Sequence, residues 1–207
     1  MPVLALVSLW MVLAPDLLFR PWFTSHGVEV EIARPAQTMA PWLRGTAELS
    51  VAAGKVEDVL TDYSRYREIF APAIKKAQVL EAGEASARIH FVWPYPFPLR
   101  NRDAVVLYRS EKRDGRFVLS WKSAAAPGDP REGIRIQNVA GETVVQALGP
   151  ERCRVTYTYL GELGGKFPSW AEEKAWREEP VQYIRAIQRA LKLAGSPGWG
   201  RARRAKS

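Results

Sequence analysis

The 207-residue chain carries 30 Lys and Arg against 22 Asp and Glu, a formal charge of +8, with 47% hydrophobic residues and one cysteine, Cys153. That length suits a single domain able to bury about 70% of the surface its unfolded form exposes, and one thiol excludes any intrachain disulfide or multi-cysteine metal site. Arg201, Arg203, Arg204 and Lys206 supply half of the net charge from a Gly/Pro-led tail, so the folded body is only mildly basic.

Residues 3–14 form an apolar run ended by Pro15 and Asp16, about six to eight residues short of a membrane span. The run reads either as an export or tethering leader, although the first basic residue is Arg20, or as a helix packed on the domain. The expected layout is a leader over 1–20, one domain over 21–194 and a disordered basic tail over 195–207.

From Trp22 onward the pattern turns to strands. Residues 28–32 and 45–51 alternate apolar with polar side chains, the period of a half-buried sheet. Val56, Val59, Leu60 and Tyr63 then recur at helical spacing, and Tyr66, Ile69 and Phe70 extend the stripe, so two short helices are expected before Pro72. Residues 74–81 and 87–93 make a hairpin. After it, Pro94, Pro96 and Pro98 remove three backbone donors in five residues, which dictates a stiff, extended loop. Strands follow over 103–111 and 116–122, then an irregular loop over 124–132, then strands over 133–139, 143–148 and 153–160. Nine strands with short connections predict an antiparallel meander. Residues 168–193 read as a last helix about 39 Å long, kinked or broken at Pro180, with Val181, Ile184, Ile187 and Leu191 on its apolar stripe.

The proline loop and its strand head, Pro96, Pro98, Arg102 and Asp103, resemble the START family of lipid-transfer domains, as do residues 27–30 after Trp22, residues 60–63, and residues 164–170 before the last helix. The resemblance covers residues 20 to 193. It implies an α+β helix-grip fold: a curved antiparallel sheet of about nine strands gripping a long C-terminal helix over an interior ligand cavity. Strand alternation then nominates Phe91, Trp93, Val106, Tyr108, Leu119, Trp121, Asn138, Tyr157 and Tyr159 as cavity wall, with Val181, Ile184 and Ile187 from the helix. A solid core remains the alternative on periodicity alone. The implied partner is a lipid or sterol-like molecule, bound by a monomer without a cofactor.

Arg102 and Asp103 are strand neighbours, so they point to opposite faces and cannot pair with each other. They either anchor the proline loop or touch ligand. Tyr95 and Phe97 either gate the cavity and make transient contact with an anionic membrane, or pack under the last helix. The wider helix-grip superfamily includes polyketide cyclases and aromatases, which need an interior acid or base. His90 faces outward in the expected register, Glu172, Glu173, Glu178 and Glu179 read as solvated, and Cys153 reads as a buried inert thiol. There is no phosphate loop, nucleophile elbow or specific nucleic-acid reading motif. A non-covalent binder is the favoured reading and a cyclase its alternative.

Overall fold

The structure, a computed structural model, describes residues 17–36, 40–165 and 167–194. The apolar run at 3–14 and the tail at 195–207 lie outside the described residues. Among the described residues no helix is long and apolar enough to cross a membrane.

The sheet begins one strand earlier than alternation predicts. β1 (Arg20–Ser25) pairs antiparallel with β2 (Val28–Ala33). Between them His26 (φ 51°) and Gly27 (φ 73°) both take left-handed backbone, as a two-residue type I′ hairpin requires. Pro21 and the adjacent Trp22 and Phe23 interrupt the alternation, and a register shift between Pro21 and Phe23 accommodates them.

β3 (Trp42–Leu49) leads into α1 (Ala53–Thr61), a 3-10 turn (Tyr63–Arg65) and α2 (Tyr66–Ile69). The predicted stripe is the one buried: Val56, Val59, Leu60, Tyr66 and Ile69. β4 (Lys76–Ala82), β5 (Ser86–Trp93), β6 (Arg102–Arg113) and β7 (Arg116–Ser123) then run as antiparallel neighbours. β8 (Ile134–Arg135) is a two-residue strand that pairs parallel with the start of β6. The strand expected over 133–139 is therefore much shorter and lies off the meander. β9 (Ala140–Gly149) and β10 (Arg152–Leu160) complete ten strands among the described residues, nine of them in the order β1-β2-β3-β10-β9-β7-β6-β5-β4 with β8 beside β6. β10 lies between β9 and β3, so the last strand joins the N-terminal strands β1 to β3 to the later meander.

α3 (Ser169–Ala194) runs through Pro180 without ending there. It rests closely on β3 at Gly45, where an added Cβ would lie 2.8 Å from the Pro180 Cβ. Val181 and Ile184 pack with Val28, Val30 and Ala47 beside that contact. The larger core gathers one face of β3, β5, β6, β7, β9 and β10 against α1, α2 and the later part of α3.

The opposite face of β5 and β6 is covered too. The irregular stretch after β7 folds over it, tied down by Arg88 to Asp129 (2.7 Å), by Lys76 to Glu132, and by Arg135 to Asp103 (2.9 Å). That cover explains why β5 and β6 contain runs buried on both faces.

Candidate functional site

The inner face of the sheet is lined by aromatic side chains in mutual contact. Tyr108 on β6 meets Tyr66 (5.6 Å between ring centroids) and Trp121 of β7 (5.8 Å). Trp121 stacks on Tyr157 of β10 (5.5 Å), and Tyr157 in turn stacks on Tyr159 (5.0 Å) and on Tyr183 of α3 (3.8 Å). Tyr183 continues to Phe70 (5.0 Å). Phe91, Val106 and Leu119 are buried among them, and Trp93 stacks on Phe91.

Polar atoms in this apolar lining are few. Tyr183 and Thr143 share a hydroxyl hydrogen bond of 2.9 Å, while the buried hydroxyl of Tyr159 has no partner among the described residues. Glu179 of α3 accepts a hydrogen bond from the Tyr157 hydroxyl at 3.1 Å. Burial pushes its carboxyl above the usual range, opposed only by that one bond. Burial also drives the phenols of Tyr108, Tyr157, Tyr159 and Tyr183 up, helped by the negative charge of Glu179. Glu179, Tyr108 and Tyr183 are deep in the protein yet keep some accessible surface.

Glu179 is the residue that sequence reasoning missed. A stripe traced through apolar residues alone selected Val181, Ile184, Ile187 and Leu191. The helix face packed on the main core keeps Ile187 and Leu191 of that stripe and adds Trp176, Glu179, Tyr183 and Ala190. Their spacing of three and four residues was the available signal, masked by assigning every glutamate to water. Val181 and Ile184 belong to the separate contact with β2 and β3, not to the aromatic interior. Asn138 is also misplaced as cavity wall: it is exposed and donates to Glu162 at 2.7 Å. The short β8 ends before it, so strand alternation does not extend that far.

Arg102 and Asp103 point to opposite faces, and each finds its own partners. The Arg102 side chain donates to the carbonyls of Leu163 and Gly164 at 3.2 to 3.3 Å and to that of Arg100, and lies over Phe167 (4.2 Å) and Tyr95 (5.1 Å). It thereby ties the proline loop to the segment before α3. Asp103, fully buried, takes hydrogen bonds from His90 Nε2 (3.1 Å), Arg135 (2.9 Å) and the Glu132 amide (3.0 Å). Burial alone would raise its carboxyl, but the bonds from Arg135, His90 and the Glu132 amide together hold it below the usual range. His90 keeps its expected parity, faces away from the aromatic interior, and is a hydrogen-bonded structural histidine buried under the covering loop.

Tyr95 and Phe97 separate. Tyr95 packs edge-on against Phe167 (5.2 Å), and burial pushes its phenol up to about 12. Phe97 is 97% exposed. Cys153 is fully buried, with its thiol raised by burial, the state of an unreactive sulfhydryl. Across the outer face of β2, β3 and β10 lies a shallow hollow lined by Glu29, Glu31, Arg44, Glu48, Arg154 and neighbouring threonines. Its polar lining gives an acyl chain nothing to bury against.

The comparisons agree with this arrangement. The START domain profile matches residues 46–195. The mouse phosphatidylcholine transfer protein is 31% identical over 141 residues, covering 64% of this chain and 64% of its own length, so the alignment spans just under two thirds of that relative. A solved fragment of a STAR-related lipid transfer protein from Xanthomonas axonopodis superposes with a TM-score of 0.75 at 23% identity, covering 84% of this chain and 98% of the fragment. A Streptomyces aromatase/cyclase shares the fold more distantly, with a TM-score of 0.57 at 16% identity over 75% of this chain and 96% of its own. With the profile spanning most of its length and the helix-grip architecture in place, the chain belongs to the START domain family.

Proposed function

We propose that the aromatic interior holds one lipid non-covalently and carries or presents it without covalent change. The observation that carries this reading is the wall itself: tyrosine, tryptophan and aliphatic side chains from six strands and α3, with the buried Tyr159 hydroxyl lacking a partner among the described residues. Buried polar groups are ordinarily satisfied, and a bound molecule with a polar end satisfies them while its chain covers the apolar wall. A sixteen-carbon acyl chain brings about 12 kcal/mol of gross driving force at about 0.8 kcal/mol per methylene, before ordering costs. The names of the relatives, a phosphatidylcholine transfer protein and a STAR-related lipid transfer protein, support the same ligand class.

Uptake needs part of the shell to move. The 124–132 loop, a second candidate gate by sequence, is ion-paired to β4 and β5 and makes a poor gate. The proline loop, with Phe97 exposed at its tip, and α3 are the better moving parts, and anionic membrane is the surface they would meet. A cyclase would need an interior acid or base; His90 is on the wrong face, leaving Glu179 as the group with that chemistry.

Native mass spectrometry after exposure to mixed-lipid vesicles, followed by solvent extraction, tests the reading. A one-to-one lipid adduct on the folded protein is the expected result. A protein that stays empty after exposure to vesicles of every headgroup class would overturn it.

A further inference from the structure

The interior contains one carboxylate without a cation. Among the described residues no lysine, arginine or histidine is paired with Glu179, and its only hydrogen-bond partner is the neutral Tyr157 hydroxyl. The buried guanidinium of Arg102 spends its donors on backbone carbonyls and acts on Tyr95 rather than on Glu179. A second oxygen, the Tyr159 hydroxyl, is buried with no partner, on the same strand face as Tyr157, whose ring it stacks on. Both Glu179 and the ring stack meet at α3, where Tyr183 covers Tyr157 at 3.8 Å.

We propose that Glu179 and Tyr159 receive the protonated primary amine of a lipid headgroup, in the interior space already assigned to lipid. The inference rests on the container reading and adds to it the headgroup chemistry. A buried acid without a counter-charge requires either a proton or a cation. A cation brought by the ligand meets that requirement, and the unpartnered Tyr159 hydroxyl is a second acceptor in the same ring stack. The rings next to Glu179 favour one kind of cation. A quaternary ammonium is recognised by open aromatic faces, but Tyr157 already has Tyr183, Trp121 and Tyr159 stacked against it. What the site offers is oxygen acceptors, and acceptors select an N–H donor over a methylated nitrogen.

The test compares matched-chain phosphatidylethanolamine, phosphatidylcholine and diacylglycerol as displacers of a fluorescent fatty-acyl probe. The wild-type chain should take the ethanolamine lipid about tenfold more tightly than either of the others, the scale of one charge-assisted hydrogen bond. Glu179→Gln, which keeps the shape and removes the charge, should erase that preference and leave diacylglycerol within about twofold. Tyr159→Phe should reduce the preference severalfold. Diacylglycerol binding also reports that each variant is folded. Equal binding of the choline and ethanolamine lipids by the wild type, or an undiminished preference in Glu179→Gln, would overturn the headgroup assignment while leaving the container intact. A wild-type chain that displaces the probe with none of the three lipids would remove both.

Discussion

Two buried carboxylates occupy the two faces of this sheet, and their surroundings differ in almost every respect. Asp103 lies beneath the loop on the outer face with Arg135, His90 and a backbone amide around it. Glu179 lies on the inner face with one phenol. The first is a knot that ties β5, β6 and β8 together, and its negative charge is fully answered within the chain. The second has its charge unanswered in the chain alone. Burial of an acid thus does not by itself mark function; burial without compensation does.

The largest consequence should come from cutting the knot. Asp103→Ala leaves Arg135 and His90 buried without their acceptor, and breaking such a pair from one side costs about 3–5 kcal/mol. Urea denaturation should show that loss, and a cost below about 1 kcal/mol would mean that the network is ornamental. Next in size is Gly45→Ala. The new Cβ meets the Pro180 ring at 2.8 Å, and overpacking of this kind costs about 1–3 kcal/mol. Because Pro180 adjoins Glu179, the same change should also displace the carboxylate from Tyr157, so lipid headgroup preference should fall along with stability.

The two acids also predict opposite pH dependences. The Asp103 carboxyl is depressed in the folded chain, so its contribution is present above the unfolded value near 3.8 and is lost as pH falls through the folded value. Glu179 is raised, so its protonated form favours folding fully below the unfolded value near 4.5, and that contribution is lost as pH rises through the folded value. Lipid-free Glu179→Gln should therefore match the wild type at pH 4 and exceed its stability at neutral pH. Thermal melts across that range check it, and an identical pH profile for the two proteins would show that Glu179 is compensated in a way the geometry does not reveal.

The sequence made the sheet and the last helix readable because both obey simple periods, and the proline loop feeding β6 was fixed by chemistry alone. Failures came where a local pattern is overruled by what packs against it. His90 has the expected parity, yet a loop some forty residues later in the chain covers it. Asn138 was placed by extending a strand that stops at Arg135. Glu179 was lost because an acid on a helix was read as solvated, and only the partner surface of β10 shows that this face turns inward. Register and burial of charged groups are set by contacts distant in sequence, which a one-dimensional pattern does not contain.

The smallest effect on stability should come from the residue that neither acid touches. Phe97 is almost fully exposed, whereas Tyr95 two residues earlier is packed against Phe167. Removing an exposed ring away from any packing changes stability by less than about 0.5 kcal/mol. A ring at the tip of a loop stiffened by prolines loses little freedom on entering a bilayer interface, so its apolar surface is available for membrane contact. Phe97→Ala should accordingly leave the melting temperature and the headgroup preference set by Glu179 unchanged, and slow lipid extraction from anionic vesicles severalfold. Equal extraction rates for the two proteins would place membrane contact elsewhere. A changed headgroup preference would instead mean that the proline loop reaches the interior site, and that the membrane-facing and ligand-facing parts of this domain are one surface rather than two.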